Sequence, residues 1–238
     1  MTKNEQEQSM DAYWDERPSS YSELNRGQLY NGQREAWENV IFSHVKEDRK
    51  LKVLDIGTGA GFFAILAALR GHEVTAVDMN ERMLLKAKEN AREAGVSIQF
   101  QQVGHMLPFS EESFDLILSR DVTWALTCPE EQLKAWASLL KIDGKLLYFD
   151  AEWNYHLKNK ESLEHWEKKK KEIEDAGILF YPKAKALDEI AKTLPMTYKN
   201  RPAWDLEFWN TQGYLCQAYE NLNSQIFSQE EQIHYQAH

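Results

Sequence analysis

The sequence predicts an α/β fold: a Rossmann-like, doubly wound, mostly parallel sheet with an N-terminal helical arm and a helical lid inserted after strand five. Three observations predict it. Short apolar runs alternate with amphipathic helical segments from about residue 33 to residue 150. A turn rich in glycine directly follows the first apolar run. After residue 150 the alternation gives way to a long, aromatic-rich, mainly helical stretch. Alternating strands and helices are typical of parallel strands joined by right-handed crossovers.

The same pattern divides the 238 residues into four regions. Residues 1–32 are predicted to form an N-terminal arm or lid, and residues 33–150 the core of the sheet. Residues 151–212 are predicted to form the helical lid insertion. Residues 213–238 return to the core with a last strand near 214–219 and a C-terminal segment. The chain is long enough for one large domain that carries such an insertion.

The elements of the predicted core follow one another with short connections. Strands are apolar runs, and helices carry apolar residues at intervals of three and four. Asn80 is expected to cap a helix, and Thr127 with Glu130 matches a capping box. In order, the elements are a helix over 33–48, a strand over 51–56, a helix over 60–70, a strand over 73–78, a helix from 81 to about 94, strands over 97–103 and 114–119, a helix from about 128 to 140, and a strand over 145–150.

Composition and charge argue against several classes of protein. No run of about 18 apolar residues occurs, so we expect no membrane span. The N-terminus is polar, which predicts no secretory signal and favours a cytoplasmic protein with Cys128 and Cys216 reduced. The net charge of −10 opposes binding to nucleic acid. We expect no metal ion, and a monomer or homodimer.

The turn VLDIGTGAGFF (53–63) is typical of sites for adenine-bearing cofactors. A P-loop needs a lysine and a hydroxyl residue after its last glycine, and Phe62 and Phe63 follow here, so a triphosphate site of that kind is excluded. The dinucleotide fingerprint counted from Gly57 needs a glycine where Phe62 stands, which weakens that hypothesis. An NAD(P)-dependent oxidoreductase therefore remains an alternative.

Two carboxylates beside the turn discriminate among the cofactors. Asp55, two residues before Gly57, lies where a pyrophosphate would approach and would repel it, whereas it suits a cationic amine. Asp78 ends the second strand, where a carboxylate can accept both ribose hydroxyls. A cationic amino acid joined to adenosine fits both ends. The residues thus favour S-adenosylmethionine, with S-adenosylhomocysteine as product; a non-catalytic S-adenosylmethionine-binding module is a further alternative.

With these residues in place, the sequence resembles the class I S-adenosylmethionine-dependent methyltransferases. The resemblance rests on VLDIGTGAGFFAILAALRGHEVTAVDMNERML (53–84), LPFSEESFDLILSRDVTWAL (107–126) and WASLLKIDGKLLYFD (136–150). It is closest to the small-molecule branch that includes the ubiquinone/menaquinone methyltransferase-like enzymes, and it covers residues 33–150. The resemblance implies an S-adenosylmethionine-binding core and methyl transfer to a small-molecule acceptor. No segment after Tyr219 predicts the seventh strand common in this fold.

The resemblance also implies roles for matching positions. Asp55 and Arg120 would lie near the methionine moiety, and Asp78 would bind the ribose. The family often has an acid after strand three that binds the adenine amino group, but this chain has Gly104 and His105 there. The resemblance therefore implies that backbone groups or His105 bind the adenine. The implied cofactor-binding residues are Asp55, Gly57, Thr58, Gly59, Asp78, Met79, Gly104, His105 and Arg120.

Catalysis and substrate binding are expected to involve residues around the carboxyl ends of the strands and in the segments beyond them. Methyl transfer is an in-line displacement that mainly needs alignment and exclusion of water. A base is needed only for an acceptor that carries a proton. The candidates near the strand ends are Asp121, His105, Asp150, Glu152 and His156, and Asp121 and His105 are the two we select. An arginine suits a substrate carboxylate. The candidate substrate-binding residues are Trp14, Tyr21, Trp124, Trp153 and Arg201.

Overall fold

A computed structural model of the chain describes residues 2–46, 48–175, 177 and 184–228. The chain divides into two compact units. The first, called the sheet unit below, contains Lys3–Thr123 and Cys128–Asp150. The second, called the helical unit, contains Trp124–Thr127 and the described residues from Ala151 onward. The segment predicted as an N-terminal arm or lid over residues 1–32 lies, from Lys3 onward, in the sheet unit.

The sheet unit is built on five parallel strands in the order β3-β2-β1-β4-β5. This confirms the predicted doubly wound parallel sheet. The two central strands are almost entirely buried, as expected for strands covered on both faces. The strands are β1 (Lys52–Ile56), β2 (Glu73–Asp78), β3 (Gln99–Gln102), β4 (Phe114–Arg120) and β5 (Leu140–Phe149).

The helices of the sheet unit follow the predicted order, and one of the two predicted N-terminal caps is present. Asn80 caps α5 as predicted, since its side chain accepts from Met83 N at 3.0 Å. The capping box at Thr127 is wrong: Cys128 occupies the cap position without a side-chain bond, because Pro129 sets the first helical residue. The helices are α1 (Lys3–Trp14), α2 (Pro18–Tyr30), α3 (Gln33–Phe42), α4 (Phe62–Leu69), α5 (Glu81–Glu93) and α6 (Pro129–Ser138).

The core of the sheet unit lies where the central strands meet α4. Nearly every residue of α4 is buried, which is the pattern of a helix covered on most sides. The aromatic ring of Trp37 from α3 packs edge-on against Phe63 and Phe149. The most deeply buried side chains of this core include Val53, Leu54, Ile65, Leu66, Leu116, Ile117 and Leu118.

The helical unit contains α7 (Lys160–Asp175), α8 (Ala184–Ala191), α9 (Ala203–Thr211) and α10 (Asn223–Ile226). The last core strand predicted near 214–219 is wrong, since residues 214–221 pair with no strand among the described residues. Leu215 is fully exposed and Tyr219 is 55% exposed, so no apolar face is buried that would stabilise a strand. The end of the predicted C-terminal segment, 229–238, lies outside the described residues. Within the part described, no helix is long and apolar enough to cross a membrane.

Candidate active site

The glycine turn, residues 57–61, connects the carboxyl end of β1 to α4. Gly57, Gly59 and Gly61 all have positive φ, at 67°, 53° and 92°. Glycine adopts this conformation without the steric cost that other residues meet. A Cβ on Gly57 would lie only 2.3 Å from Val122 Cγ2, so the loop after β4 crosses directly over the turn. The backbone of the turn is thus held close to the carboxyl ends of β1 and β4.

Asp55 lies beneath the turn and is 2% exposed. Its Oδ2 accepts hydrogen bonds from Thr58 Oγ1 at 2.6 Å and from Ala64 N at 3.1 Å. Burial raises the pKa of Asp55 to about 7, although both hydrogen bonds oppose the rise. The side chain is therefore a structural anchor of the turn and also a carboxyl group that ionises near neutrality. A nearby cation would stabilise its charged form.

Asp78 ends β2 and bridges two backbone segments. Its Oδ2 accepts from Gly59 N at 2.8 Å, and its Oδ1 accepts from Asn80 N at 2.9 Å. Burial raises its pKa, while the hydrogen bonds to its carboxylate act in the opposite direction. The structure thus places Asp55 and Asp78 on either side of one turn, as the sequence predicted from their positions at strand ends.

Helix α2 brings an aromatic side chain onto the glycine turn. A Cβ on Gly59 would lie 3.0 Å from Tyr21 Cε1, which places the tyrosine ring against the turn. Trp14 packs edge-on against Tyr21, with ring centres 5.6 Å apart. Burial raises the pKa of Tyr21 to about 12, and Arg120 opposes that rise. The hydroxyl is therefore neutral at physiological pH, and both aromatic residues from the N-terminal segment lie beside the turn.

Polar side chains that sequence reasoning missed fasten the N-terminal helices to this site. Ser22 Oγ of α2 donates to Asn90 Oδ1 at 3.3 Å, and Asn90 Nδ2 donates to Ala60 O at 2.9 Å. Asn80 Nδ2 donates to Asp11 of α1 at 3.0 Å and to Asp15, just after α1, at 2.8 Å. One signal for Asn90 was present: it is a polar residue on the otherwise apolar face of α5, where a buried amide requires partners.

Arg120 ends β4 and Asp121 follows it, and the two form an ion pair, Nε to Oδ2, of 3.2 Å. Arg120 Nη1 also donates to Gln28 Oε1 at 2.9 Å, and its guanidinium lies 4.9 Å from the ring centre of Trp37. Asp121 has a positive φ of 57° and donates its backbone N–H to Phe149 O. Arg120 is 9% exposed and lies among aromatic rings and polar groups, so it is held in one place.

Residues at the predicted adenine end lie in the exposed loops after β2 and β3. Met79 is 40% exposed, and its carbonyl accepts from Gln102 Nε2 at 2.9 Å. Gly104 is exposed, and His105 is half-buried. The Nδ1 atom of His105 lies 3.0 Å from Gln132 Nε2, and Gln132 Oε1 accepts from Cys128 N. Because that backbone bond fixes the amide, Nδ1 of His105 is the accepting nitrogen and Nε2 carries the proton in the neutral ring.

The remaining predicted residues, Trp124, Trp153 and Arg201, come together in the helical unit. All three line one cleft. The other two predicted substrate-binding residues, Trp14 and Tyr21, belong to the sheet unit and lie beside the glycine turn. Among the residues described, no group of three or more His, Cys, Asp or Glu side chains is arranged to hold a metal ion.

A family described as a methyltransferase domain matches residues 47–222, which is most of the chain. The chain belongs to this methyltransferase family. The parallel sheet, the glycine turn and the two carboxylates at strand ends agree with the class I S-adenosylmethionine-dependent methyltransferases, as the sequence predicted. The residues present also fit this methyl donor. The glycines of the turn carry no side chain, so a cofactor can approach their backbone closely, and Asp78 ends β2 where a ribose-binding acid is expected.

Several proteins resemble this methyltransferase chain. The ubiquinone biosynthesis O-methyltransferase of Stutzerimonas stutzeri is 30% identical over 137 residues, 57% of this chain and 56% of that protein. The uncharacterized methyltransferase YcgJ of Bacillus subtilis is 36% identical over 101 residues, 42% of this chain and 40% of that protein. The chain therefore spans about half the length of the curated relatives that it matches.

A solved structure supports the fold alone. Phosphoethanolamine N-methyltransferase 1 of Haemonchus contortus, in complex with phosphoethanolamine and S-adenosylhomocysteine, aligns with a TM-score of 0.52. The two sequences are 23% identical, and the match covers 62% of this chain and 33% of that one.

Proposed function

We propose that this chain transfers a methyl group from S-adenosylmethionine to a small-molecule acceptor. The observation that carries the proposal is the pair of carboxylates around the glycine turn. Asp55 anchors the turn from below, and Asp78 holds Gly59 N from the end of the next strand. Two carboxylates at a glycine turn repel a pyrophosphate and favour a nucleoside with a cationic tail. Membership of the methyltransferase family supports the same cofactor independently.

The cofactor-binding roles follow from where each residue lies. Asp78 would accept the ribose hydroxyls, and the exposed side chain of Met79 would cover the adenine. Asp55 would act on the ammonium group by charge, because its carboxyl ionises near neutrality. Gly57, Thr58 and Gly59 would present their backbone beneath the cofactor, and Arg120 would lie at the methionine end. When bound, S-adenosylmethionine supplies an electrophilic methyl group on a sulfonium.

The two candidate bases differ in what they offer. The ion pair with Arg120 and the positive φ of Asp121 hold the Asp121 carboxylate in one orientation. Asp121 is therefore the better-positioned candidate to accept a proton from the methyl acceptor. His105 accepts at Nδ1 from Gln132, so its neutral ring offers a donor at Nε2. A ring that offers a donor suits hydrogen bonding to an adenine nitrogen better than proton abstraction. We therefore assign His105 to the cofactor rather than to catalysis.

The N-terminal helices would exclude water. Tyr21 packs on the glycine turn, and Trp14 packs on Tyr21. The bonds from Ser22 to Asn90 and from Asn80 to Asp11 hold these helices to the core. A reaction between an acceptor and a sulfonium gains from such cover, since water would compete as a nucleophile.

Transfer of a tritiated methyl group from S-adenosylmethionine tests the proposal. The full chain is incubated with small-molecule acceptors, starting with hydroxyl compounds because a relative is named as an O-methyltransferase. In parallel, calorimetric titrations with S-adenosylhomocysteine, NAD and NADP test binding. Binding of S-adenosylhomocysteine with label in an acceptor supports the proposal. Binding without transfer to any acceptor favours a non-catalytic module, and binding of NAD or NADP alone favours an oxidoreductase.

A further inference from the structure

One face of helix α2 extends from the glycine turn to the end of β4. Tyr21, Asn25 and Gln28 are separated by four and three residues, so they share that face of the helix. The Tyr21 ring lies against Gly59, and Gln28 Oε1 accepts a hydrogen bond of 2.9 Å from Arg120 Nη1. Asn25 stands between these two contacts, so its side chain faces the space between the glycine turn and Arg120.

Charges at the ends of two strands act on this face of α2. Burial raises the pKa of Tyr21. The charged side chains that also act on its hydroxyl are those of Arg120, Asp121, Arg17 and Asp78. Asp78 ends β2 and Arg120 ends β4, so α2 covers the region between these two strand ends. The methionine end of the cofactor is expected in that region.

Helix α2 buries three polar side chains, and one of them has no partner for its oxygen within the described part of the chain. Ser22 bonds to Asn90, and Gln28 bonds to Arg120. The third is Asn25, which is 2% exposed and whose Oδ1 is the atom concerned. Buried amide oxygens in folded proteins nearly always accept a hydrogen bond. The position of this oxygen between the glycine turn and Arg120 therefore indicates a ligand that brings its own donor.

Two carboxylates near the same turn favour a donor with positive charge. Asp55 lies beneath the turn and accepts from Thr58 Oγ1, while Asp78 accepts from Gly59 N. Carboxylates stabilise a neighbouring cation, and a neutral amide oxygen can accept one of its hydrogens. The ammonium group of an amino acid is both a cation and a hydrogen-bond donor, whereas a water molecule is only a donor.

We propose that Asn25 Oδ1 accepts a hydrogen bond from the ammonium group of the methionine moiety of S-adenosylmethionine. The inference rests on the proposed function, which names the cofactor. Helix α2 then does more than cover the glycine turn, because it supplies a residue that recognises the amino-acid tail. Residues 47–222 match the methyltransferase family, so this residue lies outside the part of the chain that shows the family.

Calorimetric titration of the full chain and of Asn25→Leu with three ligands tests the inference. Leucine has nearly the size of asparagine but no polar atom. The ligands are S-adenosylhomocysteine, its analogue without the amino group and its analogue without the carboxylate. We expect Asn25→Leu to weaken the two ligands that carry the amino group about tenfold, and to leave the deamino analogue within about twofold. Equal weakening of all three ligands, or no change in any of them, would overturn the inference.

A matched control and a stability measurement show whether Asn25 acts on the ligand. Asn39→Leu makes the same change at an exposed position of α3 and should leave all three affinities unchanged. In urea unfolding without ligand, Asn25→Leu should be at least as stable as the unchanged chain, because it loses no hydrogen bond at Oδ1. A clear loss of stability would show that the amide is bonded within the protein, which contradicts the inference.

A second variant keeps the inference testable even if Asn25→Leu does not fold. Asn25→Asp retains an oxygen at this position and adds negative charge. Its preference for S-adenosylhomocysteine over the deamino analogue should therefore be larger than that of the unchanged chain. A smaller preference would count against an ammonium group at this oxygen.

Failure of this inference can be separated from failure of the proposed function. If the unchanged chain binds S-adenosylhomocysteine and Asn25→Leu binds it equally well, the methyl-donor site stands and the role of Asn25 is wrong. If the unchanged chain does not bind S-adenosylhomocysteine at all, the proposed methyl transfer is wrong, and the role of Asn25 fails with it.

Discussion

The backbone N–H of Gly59 donates a hydrogen bond of 2.8 Å to Asp78 Oδ2, which joins the turn after β1 to the end of β2. The other oxygen of the same carboxylate accepts from Asn80 N, at the start of α5. One side chain therefore sets the shape of the glycine turn and also occupies the position at which a nucleoside sugar is recognised in such sheets. The shape of the turn and the proposed recognition of the ribose therefore involve the same carboxylate.

Replacing Asp78 by Asn should weaken cofactor binding. The amide keeps the size of the side chain but offers only one oxygen to the two backbone donors and to the ribose. We expect the affinity for S-adenosylhomocysteine to fall at least tenfold in calorimetric titration. Asp143→Asn, at an exposed position of β5 with a positive φ that asparagine tolerates, is the matched control and should bind normally.

Asp55 should make stability depend on pH in a known direction. Its pKa in the fold is about 7, against an ordinary value of 3.8, so between these values the folded chain keeps a proton that the unfolded chain has lost. The free energy of unfolding therefore falls as pH rises, by about 1.4 kcal/mol per pH unit from this group, and levels off above about pH 7.

Urea unfolding from pH 4.5 to 8 measures this slope, and Asp55→Asn isolates it. The Asn oxygen can still accept from both Thr58 Oγ1 and Ala64 N, because a single oxygen of Asp55 accepts both bonds. The difference in unfolding free energy between the two proteins should therefore increase steadily with pH toward neutrality, with the variant the more stable. A difference independent of pH would show that Asp55 is ionised throughout the range.

Tyr21 should act through its ring and not through its hydroxyl. The ring packs on Gly59, and the hydroxyl stays protonated because its pKa is about 12. We expect Tyr21→Ala to weaken S-adenosylhomocysteine about five- to tenfold through lost apolar contact, while Tyr21→Phe stays within about twofold of the unchanged chain. If Tyr21→Ala instead tightens binding, the ring competes for the site and does not cover it.

Gly57 should tolerate a methyl group less well than a glycine of similar backbone conformation. Gly57 and Gly95 have φ values of 67° and 70°, so alanine meets similar strain at both, about 1–2 kcal/mol. A Cβ at Gly57 also meets Val122 Cγ2 at 2.3 Å, whereas nothing lies within 4 Å at Gly95. In chemical denaturation, the free energy of unfolding of Gly57→Ala should therefore be lower than that of Gly95→Ala by about 1–3 kcal/mol. Equal losses would mean that the loop after β4 moves away freely.

The sheet and the glycine turn could be predicted because their signals are local. The strands are apolar runs that end at glycine or at an acid, and Asp55 and Asp78 take their places from the strands alone. Contacts between distant parts of the chain gave no such signal. Asn80 bonds to Asp11, 69 residues away, and Ser22 bonds to Asn90, 68 residues away. No periodicity in a single sequence encodes these pairs, so the hydrogen bonds that hold the predicted N-terminal arm to the core were not foreseen.

Two local predictions were wrong for physical reasons that involve neighbours. Thr127 matched a capping box, but Pro129 fixes the helix start one residue later. The aromatic run at 214–219 matched a strand, but its side chains are largely exposed and no partner strand pairs with it among the described residues. The cleft residues Trp124, Trp153 and Arg201 were chosen by residue type, and only the structure shows that they share a cleft with Glu152 and Lys158.

A crystal structure of the full chain with S-adenosylhomocysteine tests the central claim most directly. The account expects the ribose hydroxyls on Asp78, the amino-acid tail on the side of Asp55, and the adenine against Met79. Absence of the ligand from the glycine turn at saturating concentration, or a ribose bound away from Asp78, would contradict it.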